Sequence, residues 1–386
     1  MTSETDQLGP LPGFLRDGTG AITPVVAPAG DRIWMIRDYA LARFVLTDNR
    51  FSRAEAVKPH VPKFTDAEPA ADSMMSMDGA AHARLRRAVA GAFSTGKIAA
   101  LTPRVERFTD DCLDLMLASG PPADIISGLA TPLSLAVLCA LLGVPAKDHK
   151  RFKDSVEVLF DIDRSTPAQK GRYRLELVEY MADLVVRKRD TQDDDLLTVL
   201  IGLHGQGGLS QRETITLGLT LLMAGYETTV GQIGLAVLWL LSGRDRWRTV
   251  CERPQSLAPT VEELLRLTPS TPVSFPRATA APVRVGDVTL SAGETVIVSL
   301  LHGNRDAKVF TEPTQMLPGA RHSAHLTFGH GVHRCLGAPL ARMQVQTALA
   351  RLSYRFPGLR LASGDDAVAW KDGLVTRGLA RLLVTW

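Results

Sequence analysis

The ten residues Phe328-Gly329-His330-Gly331-Val332-His333-Arg334-Cys335-Leu336-Gly337 decide how this chain is read. Two glycines ahead of a cysteine permit a tight turn and let the backbone approach a flat ligand closely. The run from Leu336 to about Tyr354 reads as a helix. Cys335 then sits at a positive helix end, and His333 and Arg334 add to a field that favours thiolate over thiol. A thiolate is a strong donor to haem iron and pushes electron density toward O–O cleavage. Three other readings compete. A lone cysteine is usually a buried small hydrophobe, although the glycine setting argues against that here. His325, His330, His333 and Cys335 are zinc-ligand types, but structural zinc sites usually gather several thiolates, and no second cysteine is near. A cysteine nucleophile with a histidine base is the third, and it leaves the other motifs of the chain unexplained.

The remaining sequence must house that loop. With 386 residues, 45% apolar and 22% charged, the chain can bury a large core. No linker separates its helical and strand-rich parts, so a single domain over residues 1–386 is expected. The four cysteines, Cys112, Cys139, Cys251 and Cys335, are far apart and lack a C-x-x-C pair. That favours a reducing compartment, the cytoplasm, over a disulfide framework. The first fourteen residues lack the pattern of a signal peptide. A net charge of +3 gives no electrostatic support for a nucleic-acid partner.

Coarse periodicity predicts a mainly α fold with minor β. Arg32 to Ile36 reads as a strand followed by a helix. From about Gly79 to Gly243 the pattern is mostly helical, with breaks at Pro103, Gly120-Pro121-Pro122, Gly143-Val144-Pro145, Pro167 and residues 205–208. Ser210-Gln211-Arg212-Glu213 fits a capping box that opens a long helix, and Ser242-Gly243 closes it. Leu217 to Leu241 is long enough to span a bilayer. A mid-membrane charge such as Glu227 costs about 2.5–3.5 kcal/mol on insertion scales, so a helix through a large core is the better reading, with no membrane partner. From Thr271 to Leu301, Val283, Val285, Val288, Leu290, Val296 and Val298 alternate with polar residues, as short strands do.

Ala224-Gly225-Tyr226-Glu227-Thr228-Thr229 places an acid beside an alcohol in the middle of that helix, which is costly unless used. The plain alternative is that Thr228 bonds back to a carbonyl one turn earlier while Glu227 pairs elsewhere. Glu263 and Arg266 stand at i, i+3. If exposed, such a pair is worth under about 1 kcal/mol. His82 and Arg86 share a helix face at i, i+4.

Taken together these segments resemble the cytochrome P-450 family, most closely its soluble bacterial members, over essentially the whole chain. Phe328, Gly331, Cys335 and Gly337 carry its Phe-x-x-Gly-x-x-x-Cys-x-Gly signature, and Ala338-Pro339-Leu340-Ala341-Arg342 continues it. The resemblance implies haem b held between the long central helix and the cysteine loop, with Cys335 as the proximal iron ligand and Phe328 packed near the thiolate. It implies that Ala224 and Gly225 make room for O2, that Thr228 hydrogen-bonds oxygen at the iron, and that Glu227 relays protons from solvent. Tyr226 stands where many bacterial members have histidine or another residue. His82, Arg86, Arg277 and His333 match propionate-binding positions. Glu263 and Arg266 match a Glu-x-x-Arg pair, with Arg321 as the third member of its network, although Leu317-Pro318 departs from the family's Phe-Asp there.

The implied activity is a monooxygenase that hydroxylates or epoxidises a small lipophilic substrate, such as a polyketide or macrolide of secondary metabolism. Electrons would come from NAD(P)H through a ferredoxin reductase and a ferredoxin. Arg84, Arg87, Lys97, Arg334 and Arg342 are expected to offer basic docking charge to the ferredoxin. Substrate contacts are expected at residues 57–77, 157–175 and 272–275, near Leu221, Leu222 and Ala224, and around Leu374–Val375. An oxidative coupling enzyme, a peroxygenase and a non-catalytic haem-binding protein are the alternatives on the same scaffold.

Overall fold

The computed structural model describes residues 11–386 other than 17, 66–69, 161–164, 192, 205–207, 244, 320–323 and 373–375. Helix takes 56% of the chain and strand 12%, the mainly α fold with minor β that the periodicity predicts. Contacts sort the chain into two compact units: Met1–Ala83 with Glu262–Leu336, and Arg84–Val261 with Gly337–Trp386.

The first unit is built on a five-stranded sheet. Its order is Ile22–Val26, Arg32–Ile36, Thr295–Val298, Arg277–Thr279 and Phe51–Ser52. Arg32–Ile36 runs parallel to Thr295–Val298, with Trp34 opposite Val296, and the other pairs are antiparallel. Ile36, Phe51, Val296 and Val298 pack with Val45 and Phe310 of the following segments into one buried core. This crossing brings residues 51–53 beside Arg277, although more than 220 positions separate them in sequence. Val283–Val285 and Val288–Leu290 form a separate hairpin, whose turn uses Gly286 at φ +57°.

The second unit is helical around Gln211–Leu241. Both halves of the predicted capping box form: Ser210 Oγ accepts from Glu213 N–H, and the Glu213 carboxylate accepts from Ser210 N–H. Every residue from Thr229 to Leu240 is buried, so the apolar run is spent on the protein interior, as expected of a core helix. A small sheet joins Val368–Trp370, Leu379–Thr385 and Ala123–Asp124, with Arg360–Leu361 also on the long strand.

Two boundaries differ from expectation. Pro103 does not break the chain: the helix Thr95–Ser119 runs through it. Pro103 and Ala99, whose carbonyl loses its donor, are both exposed, so water can satisfy that carbonyl and the helix tolerates the proline. The helix after the cysteine begins at Ala338, with Gly337 as its cap, not at Leu336. Pro339 sits in its first turn, where a missing N–H costs nothing.

Candidate active site

The cysteine loop is closed by its own backbone. Cys335 N–H donates to Phe328 O at 2.7 Å, Arg334 N–H to Gly331 O at 3.0 Å, and Gly329 N–H to Leu326 O at 2.7 Å. Gly329 and Gly331 take φ of +70° and +74°, the left-handed region that glycine enters without steric cost. Asn304 anchors the loop's approach. Its Oδ1 accepts from Leu326 N–H at 2.6 Å, and its Nδ2 donates to Thr327 Oγ1 and to Arg266 O. Phe328 is half-buried, its ring 5.9 Å from that of His325.

The four thiols divide by environment. Cys112 and Cys139 are buried, and burial pushes them up to about 11 and about 12, with Asp111 and Asp148 adding to it. Burial also raises Cys251. Cys335 is exposed, at the end of a turn and two residues before a helix cap. It is the thiol placed to serve as an external ligand's donor. Among the described residues no group of three or more His, Cys, Asp or Glu side chains gathers to hold a metal ion. His325 lies instead 3.3 Å from Glu262, so the zinc reading has no geometric support.

In the same unit, buried polar and charged side chains gather around His333. His82 is buried, and its ring centroid stands 4.1 Å from that of His333. Arg277 is 5% exposed; one terminal nitrogen donates to Phe51 O at 3.1 Å, while its buried Nε has no acceptor. Burial pushes Arg277 down to about 10 despite Asp78. His333 is lowered by burial and by Arg277 and Arg53, which outweigh the raising effect of Asp78. Asp78 was not expected as part of the site. Burial works to raise its carboxyl, but hydrogen bonds from His333, Ser52 and the backbone of Ala54 and Arg53 hold it well below the carboxylate range. Arg53, also unexpected, is buried with Nε on Met75 O and a terminal nitrogen on Pro276 O. Arg86 follows His82 by one turn on Gly79–Ala90 and is half-buried. A buried arginine nitrogen with no acceptor, in a cluster with two imidazoles, is poised for an anionic oxygen. The residues therefore fit haem, whose propionates supply such oxygens and whose flat face suits a glycine-lined loop.

Glu263 and Arg266 are not a surface pair. Both are buried, and the guanidinium holds the carboxylate through two bonds of 2.8 and 2.7 Å. Its remaining donors reach Asn304 O, Pro313 O and Gln315 O, and Glu263 also accepts from Leu317 N–H. The pair thus sews the irregular segment 304–317 to the helix Leu257–Leu267. Arg321 and Leu374–Val375 lie outside the described residues.

On the central helix both plain alternatives are observed. Thr228 Oγ1 donates to Ala224 O at 2.8 Å, and Glu227, 2% exposed, pairs with Lys371 at 2.8 Å. The back-bond consumes the hydroxyl proton and leaves the oxygen's lone pairs as acceptors. Ala224 is exposed. Gly225 has a packing reason to be glycine: a Cβ there would stand 2.6 Å from Leu138 Cδ2. Two of the expected docking charges are spent locally, Arg84 on Glu213 and Lys97 on Asp194.

The chain is similar to known proteins over nearly its whole length. A profile described as cytochrome P450 matches residues 255–359. The chain is 38% identical to nocardicin C N-oxygenase of Nocardia uniformis subsp. tsuyamanensis, covering 93% of this chain and 91% of that protein. It is 36% identical to mycinamicin IV hydroxylase/epoxidase of Micromonospora griseorubida, covering 95% and 93%. The crystal structure of the LnmA cytochrome P450 hydroxylase of the leinamycin pathway of Streptomyces atroolivaceus S-140 superposes with a TM-score of 0.89 at 37% identity, covering 100% and 99%. The chain belongs to the cytochrome P450 family. It is an oxidoreductase of the monooxygenase class, which carries haem and draws on redox partners, O2 and a small substrate.

Proposed function

We propose that this protein is a cytoplasmic, single-domain haem b monooxygenase that hydroxylates or epoxidises a lipophilic polyketide or macrolide-type metabolite, with electrons from NAD(P)H through a ferredoxin reductase and a ferredoxin. The observation that carries the reading is Cys335, the exposed thiol in a glycine-shaped loop, while burial raises the other three. The substrate class is supported by the mycinamicin oxidase among the relatives.

When bound, haem supplies reductive activation of O2. The chain's own residues then have separate tasks. Cys335 gives an anionic sulfur donor, and Phe328 and Gly337 shape its surroundings. His82, Arg86, Arg277 and His333 hold the propionates, with Asp78 keeping His333 in place. Glu263 and Arg266 hold the segment 304–317 that leads to the cysteine loop. Ala224 leaves room on the central helix, and Gly225 lets Leu138 pack beneath it. Thr228, its hydroxyl already donating to Ala224 O, accepts a hydrogen bond and so orders a proton-carrying water. Glu227 takes protons from solvent and passes them to that water, a relay that needs a titratable group within reach of one water.

The test is turnover. Lipophilic candidates, macrolides first, are screened by the spectral shift they cause in the holoenzyme. Product is then measured with NAD(P)H, reductase, ferredoxin and O2, against peroxide alone. Product that requires the reductive system supports the reading. Equal product from peroxide alone makes the protein a peroxygenase, and a bound ligand never converted makes it a binding protein.

A further inference from the structure

Glu227 draws its counter-charge from the far end of the chain. Lys371 Nζ lies 2.8 Å from Glu227 Oε1, with the side chains 19% and 2% exposed. Lys371 N–H donates to Gly378 O at 3.0 Å, and Gly378 rests on the central helix. A Cβ at Gly378 would meet Gly231 Cα at 3.5 Å and Glu227 Oε1 at 3.9 Å. The segment thus lies directly against the helical turns of Glu227 and Gly231, and it brings Lys371 to the carboxylate. Arg377, next to Gly378 in the chain, is buried with its guanidinium 5.2 Å from the Trp370 ring centroid.

A carboxylate this deep must be paired or must take up a proton. We propose that Lys371 is a positioning residue that keeps Glu227 ionised and turned toward the C-terminal strands, so that the acid enters each cycle as a proton acceptor. Glu227 then takes one proton from solvent water and gives that same proton to the water ordered at Thr228, while Lys371 keeps its own proton throughout. The consequence for turnover rests on the relay proposed above, whereas the charge on Glu227 does not.

Infrared spectra of the holoenzyme at neutral pH read that charge directly. The wild type minus E227Q difference should contain carboxylate bands and no protonated-carboxyl stretch. K371M minus the K371M/E227Q double variant should show a protonated-carboxyl stretch that shifts in D2O, and K371R should restore the carboxylate. A K371M spectrum that keeps the carboxylate overturns the proposal. Lys371 is partly exposed and methionine keeps its stem; if K371M does not bind haem, K371Q gives the same reading. Product per NAD(P)H should fall in K371M and return in K371R. A charge change without that fall would leave the Lys371 assignment standing and count against the relay.

Discussion

Gly331 lies against the backbone carbonyl of Leu46. A Cβ on Gly331 would stand 2.5 Å from Leu46 O, at a φ of +74° that side chains rarely adopt. Neither the oxygen nor the turn can yield cheaply, because Leu46 closes a helix packed into the sheet's core. G331A should therefore destabilise the fold by about 1–3 kcal/mol through strain and shift the loop that carries Cys335. Soret absorbance per polypeptide and the melting temperature, measured together, check this. Undiminished haem content and stability would mean the loop tolerates displacement.

Arg266 spends all five donors inside the protein, two on Glu263 and three on backbone carbonyls. Removing one member of a buried pair strands the other charge, at a cost of about 3–5 kcal/mol. R266M should lose that much in urea unfolding. R266K should rescue little, because an ammonium cannot reproduce the bidentate fork and three further bonds. A lysine variant as stable as the wild type would reduce Arg266 to a point charge.

His302 gives the fold a dependence on acidity. Burial, with Arg37 and Arg305 nearby, pushes it down to about 4 from 6.5, and its Nδ1 shares a 2.7 Å hydrogen bond with Ser299 Oγ. A depressed folded value means the stabilisation is complete above pH 6.5 and is lost as pH falls toward 4. The amount is at most about 3 kcal/mol. Melting temperature should fall across that window in the wild type and fall less in H302N. Parallel curves for the two proteins would remove His302 as the cause.

Thr228 Oγ1 donates a hydrogen bond to Ala224 O and keeps its lone pairs as acceptors. T228A keeps the helix but removes that acceptor, so water at the site loses its order. NAD(P)H consumption should continue while product per NAD(P)H drops several-fold and peroxide rises in proportion. Unchanged coupling would take Thr228 out of proton delivery.

Local signals were the legible ones. The capping box at Ser210–Glu213 and the Glu263–Arg266 pair each lie within four residues, so spacing alone defines them. The alternating valines after 283 became strands for the same reason. What sequence left hidden was set by the tertiary fold. Spacing placed Glu227 and Thr228 on the helix, but the partner of Glu227 lies 144 positions away. Asp78 precedes the helix of His82 in sequence, and only the tertiary fold brings Ser52 and Ala54 to it. Gly225 read as open space, yet its missing side chain is explained by Leu138 on another helix. Pro103 read as a break because exposure, which decides whether a lost helix bond matters, is not written in sequence.

The central claim is a bond between the Cys335 sulfur and haem iron. The most direct measurement is the absorbance spectrum of the reduced, carbon monoxide-bound protein, wild type beside C335S. The wild type should show the long-wavelength Soret band of a thiolate-ligated iron, and C335S should lose it. A wild-type spectrum of the histidine-ligated kind, or a C335S spectrum identical to the wild type, would contradict the account.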